Sequence, residues 1–174
     1  EVQRSASIVR LTLSKPERFS LQFDSDRLHN LHILAGDIPE PRPAAANVRY
    51  FGPGEHKLPE DARTFPVRSG DRIYLEGGAI LGGSFDLTGL SDVKISGRGL
   101  IYDPGRPIDL NGSVDIDIND LILVNSEREA AARVVNIRNS RNVKVRELSA
   151  FTAGKWADGI NISTSQQVLV DGGY

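Results

Sequence analysis

The sequence repeats one short pattern four times, and this repeat constrains the possible fold more than any other feature. A polar triplet precedes an apolar-x-apolar strand in LSDVKI (90–95), NGSVDI (111–116), SRNVKV (140–145) and SQQVLV (165–170). The first valines of these segments lie 21, 29 and 25 residues apart. A period of twenty-odd residues with short strands and no helix is typical of a β-solenoid, in which each repeat forms one coil.

We therefore predict an all-β fold, a right-handed parallel β-helix in which each strand pairs with its equivalents about 4.8 Å above and below. Second strands are predicted at 100–102, 134–137 and 160–162, with Asn and Gly at the corners. A β-sandwich of hairpins is less favoured, because no Asn-Gly or Asp-Gly pair lies between two matched strands. The predicted inward apolar ladders contain Val93, Ile95, Val114, Ile116, Val143 and Val145.

The N-terminal part has a different residue pattern from the repeats. Alternating apolar residues predict three short strands at 8–13, 19–23 and 28–34. Pro39, Pro41 and Pro43 follow, and such prolines favour an extended, semi-rigid linker. We predict a small β-sandwich-like module with its linker at 1–43 and the coils of the β-helix at 44–174.

Composition excludes several classes of function. The 174 residues contain 21 Lys and Arg against 23 Asp and Glu, so the formal net charge is only −2. Because no basic run is present, we expect neither nucleic acid nor a membrane surface as a partner. No apolar stretch is long enough to span a bilayer. The absence of cysteine excludes disulfides, thiolate catalysis and cysteine-bound zinc, and we expect no cofactor.

Three segments resemble a known family. YFGPGEH (50–56), VRSGDRIYLEGGAILGG (67–83) and VKISGRGLI (93–101) resemble the first coils of bacterial polygalacturonase-type glycoside hydrolases, which have a pectin-lyase-like β-helix. The resemblance covers 48–174. It implies a secreted or periplasmic enzyme that cleaves polysaccharide by inverting hydrolysis with aspartates. The related dextranases have a similar early pattern behind a small β-sandwich, which residues 1–43 would suit, so the sugar stays open.

The segment WADGINI (156–162) resembles the family motif that holds the first catalytic aspartate. The resemblance implies that Asp158 helps to activate the hydrolytic water. The alternative is that Asp158 caps a turn in which Gly159 has a positive φ. Trp156 is either a platform for a sugar ring or a packing residue. Lys155 either contacts an acidic sugar or is an ordinary surface lysine, and Asn161, which replaces an aspartate of the motif, is a candidate substrate ligand.

Glycoside hydrolysis requires two carboxyl groups. One period beyond Asp158 lies past Tyr174, so we expect the catalytic set to be incomplete in these residues. The chain has no methionine and begins with Glu1, and we expect a processed form or an excised piece of a longer protein. The alternative is a non-catalytic solenoid that binds carbohydrate or associates through its open C-terminal coil.

Other candidate sites are weaker. Asp115, Asp117 and Asn119 imitate the start of a calcium loop, but the glycine and glutamate of that loop are missing, so outward strand positions explain them better. His29 and His32 would point to opposite faces of a strand, which argues against a shared metal ion. We therefore predict no metal site, and a calcium-dependent β-helix lyase is the least favoured function.

Overall fold

A computed structural model of the chain describes residues 2–5, 7–36, 41–44, 47–103, 105–126, 133–154 and 157–174. These residues form β-strands and no helix, which confirms the predicted all-β class. The chain divides into two compact units, Glu1–Ile38 and Pro39–Tyr174. The predicted proline linker and its boundary after residue 43 stay predictions, since residues 37–40 and 45–46 lie outside the described part.

The N-terminal unit contains two antiparallel strand pairs. Strand β1 (Val2–Arg4) pairs with β2 (Val9–Leu11), and β3 (Glu17–Phe23) pairs with β4 (Asp26–Ala35). The predicted strands correspond to β2, β3 and β4, whereas β1 was missed because three residues give too little alternation to detect. No hydrophobic side chain described in this unit is buried.

The C-terminal unit is a β-solenoid of about 5 turns, and its strands form three parallel sheets. Sheet A contains β7 (Thr64–Phe65), β10 (Ser84–Asp86), β13 (Ile108–Asn111), β16 (Arg133–Arg138) and β19 (Asp158–Ser163). Sheet B contains β5 (Val48–Phe51), β8 (Arg72–Leu75), β11 (Ser91–Gly97), β14 (Val114–Asn119), β17 (Arg141–Arg146) and β20 (Gln166–Asp171). Sheet C contains β6 (Gly54–Lys57), β9 (Ala79–Gly82), β12 (Leu100–Asp103), β15 (Ile122–Asn125) and β18 (Ser149–Thr152).

The predicted register was wrong at one coil. Val93 pairs with Ile116, and Ile116 pairs with Val143, whereas Val114 lies opposite Ser91 and is only half-buried. The coils of sheet B therefore repeat every 23, 27 and 25 residues rather than 21, 29 and 25. The inward ladder continues through Ile118, which the sequence analysis left out.

Positive-φ residues at one end of sheet B explain this register. Equivalent positions in four successive coils adopt φ values near +55°, and they are Asp92 (54°), Asp115 (58°), Asn142 (53°) and Gln167 (54°). Asp and Asn tolerate this left-handed conformation better than most residues. The coils are aligned by this backbone feature, not by the nearest valine.

The predicted second strand combined two different sheets. Residues 100–102 lie in sheet C, whereas 134–137 and 160–162 lie in sheet A. The short apolar runs look alike because both sheets contribute inward residues to one core. Each complete coil therefore has three strands.

Coil length varies mainly at one corner. Eight residues separate stacked inward positions of sheets A and B in the four coils from Phe85 onward, as from Ile108 to Ile116 and from Val135 to Val143. From sheet C to the following strand of sheet A the separation changes, and it is 4, 7, 12 and 10 residues for Leu81–Phe85, Ile101–Ile108, Leu123–Val135 and Ala150–Ile160. We call this the variable corner.

The core lies inside the coils and is built from stacked apolar columns. In sheet B one column contains Ile73, Ile95, Ile118 and Val145, and each is at most 1% exposed. Burying one such side chain contributes about 1.5–3 kcal/mol. In the first coil, Arg49 occupies the position next to Ile73 at the end of this column, and it donates a hydrogen bond to the carbonyl oxygen of Pro66.

Gly97 ends strand β11 and allows two coils to approach closely. Its φ is +115°, and a Cβ at this position would overlap the carbonyl oxygen of Leu75. We expect Gly97→Ala to lower the free energy of unfolding by about 3–5 kcal/mol, from backbone strain and overlap together. Gly112→Ala is the matched control, since Gly112 has a φ of +67° but open space around it. Its cost should be only about 1–2 kcal/mol, and equal losses in urea titrations would contradict the argument.

Candidate functional site

The outer face of sheet A carries a column of polar side chains. Alternation along the strands turns Ile108, Val135 and Ile160 inward and turns the next residue of each strand outward. The Asn161 amide nitrogen donates to the Asn136 side-chain oxygen at 2.8 Å. The Asn136 amide nitrogen donates to an Asp109 carboxylate oxygen at 2.7 Å. We call Asp109, Asn136 and Asn161 the amide ladder.

Asp109 anchors the lower end of the amide ladder. Arg106 Nη1 lies 3.2 Å and Arg138 Nη2 lies 3.3 Å from its Oδ2 atom. Two guanidinium groups and an amide therefore occupy the acceptor sites of one carboxylate. Because Asp109 is held in this way, its main role is to position the neighbouring polar groups.

Asn136 is the centre of the ladder and is only 1% exposed, although it lies on the outward side of its strand. A buried amide without partners would cost free energy, so the two hydrogen bonds to neighbouring coils are needed. Asn161 is half-buried and forms the last rung. Its side-chain amide nitrogen donates a hydrogen bond to Asn136, and its side-chain carbonyl oxygen accepts no hydrogen bond within the described residues.

Asp158 begins strand β19 and lies opposite Arg133 of the preceding coil. The Arg133 Nε atom is 3.6 Å from Asp158 Oδ2, which is an ion pair but too long for a hydrogen bond. The Asp158 side chain is 52% exposed. The structure therefore places this carboxylate at the edge of sheet A with access to solvent and a cation beside it.

The turn-capping alternative for Asp158 is wrong. Both Asp158 and Gly159 lie inside a strand, and Gly159 is not among the positive-φ glycines. The two other predicted ligands, Lys155 and Trp156, lie outside the described residues, so their roles stay predictions. Of the predicted site residues, Asp158 and Asn161 share strand β19 and are three positions apart.

Asp109 cannot serve as the second carboxyl group beside Asp158. Two coil steps of about 4.8 Å and three strand residues of about 3.3 Å separate the two positions, which places their Cα atoms about 14 Å apart. Glycosidases need about 5–5.5 Å or 6.5–9.5 Å between the carboxyl groups. On the described strands of sheet A, no other carboxylate lies closer to Asp158.

The other sequence candidates have structural partners. Asp117 accepts hydrogen bonds from Arg146 at 2.8 and 3.0 Å, and Asp115 accepts one from Asn142 at 2.6 Å. These contacts agree with outward strand positions rather than a calcium loop. No group of three or more metal-ligating side chains occurs among the residues that the structure describes.

Sequence reasoning missed the buried part of the site. Asn136 lies in the run RVVNIR, where it looks like an ordinary polar residue of an alternating strand. The signal that could have found it is the polar position shared by IDLN, RVVNIR and DGINIS once these strands are placed in register. The alignment on the repeated valines did not include this sheet.

Comparison with known proteins gives a fold and no family. No protein-family model matches the chain, and no curated protein matches it either. One similar solved structure is described as a putative glycosyl hydrolase from Parabacteroides merdae ATCC 43184. The two share 14% identity with a TM-score of 0.53, over 73% of this chain and 82% of that one. The class shown is thus a parallel β-solenoid, while the predicted polygalacturonase-type family is not confirmed.

The strands of the solenoid are the structural elements that position the site. The site lies on a rigid sheet face rather than on a long loop, which favours a fixed arrangement of ligands.

Among the described residues, no helix is long and apolar enough to cross a membrane.

Truncating the central rung tests the amide ladder. We expect Asn136→Ala to reduce the free energy of unfolding by about 1–3 kcal/mol, because Asp109 and Asn161 both lose a partner. The matched control is Asn161→Ala, which removes one half-exposed bond and should cost about 0.5–1 kcal/mol. Chemical denaturation measures both, and a neutral Asn136→Ala would show that the ladder contributes nothing to stability.

Proposed function

We propose that this chain belongs to a polysaccharide-cleaving glycoside hydrolase that binds its substrate along the outer face of sheet A. The observation that carries the proposal is the half-exposed Asp158 carboxylate at the start of the last described strand of sheet A, on a parallel β-solenoid. The polar positions of that face repeat with each coil, as the sugars of a polymer repeat along its chain. The glycosyl hydrolase description of the structural neighbour agrees with this class of activity.

In this proposal Asp158 is one carboxylate of an inverting pair and helps to activate water. Arg133 Nε lies 3.6 Å from its Oδ2 atom, and a carboxylate in this position can accept a proton from water. Asn161 lies three residues further along the same strand, and strand alternation turns its side chain to the outer face, on the opposite side of the strand from Asp158. We propose it as a separate substrate ligand on that outer face. The proton donor lies outside the described residues of sheet A, because Asp109 is too distant.

The finer assignment is a polygalacturonase-like enzyme, with a dextranase-like glucan hydrolase as the alternative. The segments at 50–56, 67–83 and 93–101 support both, since they resemble the first coils of these enzymes. Lys155 and Trp156 are proposed substrate ligands because a lysine can pair with an acidic sugar and an indole ring can stack on a sugar ring. A polysaccharide substrate is degraded outside the cytoplasm, so we propose a secreted or periplasmic location.

Replacing Asp158 tests the catalytic assignment. We expect Asp158→Asn, made in the full natural protein that contains these residues, to lower the release of reducing sugar from polygalacturonate or dextran by about 10²–10⁴-fold, because the proton acceptor is lost. Side-chain volume is retained and the carboxylate is half exposed, so stability should change little.

Asp115→Asn is the matched control, since Asp115 is an exposed carboxylate on sheet B. Its activity should equal that of the wild-type chain. Normal activity in Asp158→Asn would remove Asp158 from the mechanism. A full natural protein that releases sugar from neither polymer would contradict the hydrolase proposal.

A second candidate function is a non-catalytic module that associates through its last coil. Ile162 and Val170 continue inward columns whose members Ile137 and Val145 are fully buried, yet they are 47% and 44% exposed. Strands β19 and β20 also have one edge without a neighbouring strand in the described residues. Such edges and apolar ends favour pairing with another chain.

Sedimentation distinguishes the two candidates. Association through the last coil predicts a mass that rises with protein concentration, and Ile162→Asp should abolish the rise. Leu169→Asp is the control, because Leu169 is equally exposed but lies on the outward side of its strand. A chain that stays monomeric at all concentrations would exclude this function.

A further inference from the structure

Sheet C differs from the other two sheets because its outer face is apolar. On sheet B one outward column has four successive charged members, Arg72, Lys94, Asp117 and Lys144, between Val48 and Leu169 at its ends. On sheet C the outward residues of strands β9 to β18 are mostly aliphatic or aromatic. We call six of them the sheet C strip: Ile80, Leu100, Tyr102, Ile122, Val124 and Phe151.

The strip is accessible to solvent within the part of the chain that the structure describes. Ile80 and Tyr102 are each 45% exposed, and the other members are half-buried. None of the six packs against the buried core. A parallel sheet with apolar residues on both faces is normally covered on both faces. The outer face of sheet C therefore has the composition of a covered surface.

Charged residues occur only where the strip begins. The first strand of the sheet places Glu55 and Lys57 at the equivalent outward positions, and their side chains pair with each other at 3.1 Å. From Ile80 onward the six strip residues carry no charge. A charged ligand such as a uronate polymer would find no counter-charge on the strip, so the surface suits an uncharged ligand.

The size of the strip argues against a second copy of the chain as its ligand. Four strands at about 4.8 Å and four residues at about 3.3 Å give a face of about 19 by 13 Å. That is about 250 Å², whereas a stable protein interface needs about 800 Å² from each partner. The strip is wide enough for one extended polymer chain.

The spacing of the aromatic residues matches a polysaccharide. Tyr102 and Phe151 occupy the same outward column two coils apart, with Val124 between them, so their spacing is about 9.6 Å. The Tyr174 ring contacts Phe151, with the ring centroids 5.8 Å apart and the ring planes tilted by 54°. In an extended β-1,4-linked pyranose chain, alternate sugars present the same apolar face at about two coil steps.

We propose that the sheet C strip is a second carbohydrate-binding site, which takes an extended, uncharged β-1,4-linked glycan lying parallel to the solenoid axis. Tyr102 and Phe151 stack on alternate sugars, and Ile122 and Val124 contact the sugar between them. The site is on a different sheet from Asp158 and does not require its chemistry. Its role is to retain the protein on polymeric material.

Calorimetric titration with cellohexaose tests the site on the full chain. The wild-type chain should bind, and removing one aromatic contact in Tyr102→Ala or Phe151→Ala should weaken binding about tenfold. The double variant should show no detectable binding. Circular dichroism and the thermal midpoint check that these partly exposed truncations leave the fold intact.

Two controls separate this proposal from the hydrolase. Leu169→Ala removes an equally exposed apolar side chain from sheet B and should leave binding unchanged. Asp158→Asn should also bind cellohexaose normally, because the two sites lie on different sheets. If the protein binds cellohexaose but does not hydrolyse polysaccharide, the proposed hydrolase function is wrong and the proposed binding site on the sheet C strip is retained.

Four results would overturn the proposal. The first is a wild-type chain that does not bind cellohexaose, and the second is equal affinity in the wild-type chain and the double variant. The third is a dimer in sedimentation that Tyr102→Ala converts to monomer, which would make a second copy the occupant of the strip. Tighter binding to polygalacturonate than to cellohexaose at the strip would also contradict an uncharged ligand.

Discussion

The stacking of inward apolar residues from coil to coil is the interaction on which the rest of the structure depends. A single coil cannot bury its inward side chains, and it leaves both edges of each strand unpaired. Parallel pairing with the next coil satisfies the backbone hydrogen-bonding groups of the strand, and the same pairing covers Ile95 with Ile118. Every outward column, including the amide ladder and the sheet C strip, is in register only because these inward columns are.

The repeat in the sequence predicted this architecture, because inward positions must be apolar in every coil. The pairing register was harder, since Val114 and Ile116 are both β-branched and either could continue the column from Val93. The deciding feature is backbone conformation at Asp115, and a positive φ at an aspartate has only a weak sequence signal. Two strands were predicted in each coil instead of three for a similar reason, because all three sheets contribute short apolar triplets.

The site was predictable to the extent that it rests on a local motif. Asp158 was found through the resemblance of a short segment, and the structure places it at an accessible edge. Asn136 could not be found in this way, because its partners Asp109 and Asn161 are 27 and 25 residues away and meet only in the register of sheet A. Long-range hydrogen bonds between coils have no signature in any short window of sequence.

The variable corner has a consequence for how such a chain can change. Strand β19, which begins with Asp158, follows directly after this corner in the chain. From Phe85 onward the number of residues at this corner changes from coil to coil, while the eight-residue separation from sheet A to sheet B stays constant. Evolution, or a protein engineer, can therefore change the length of the chain at this corner, next to Asp158 in sequence, without repacking the interior of the molecule.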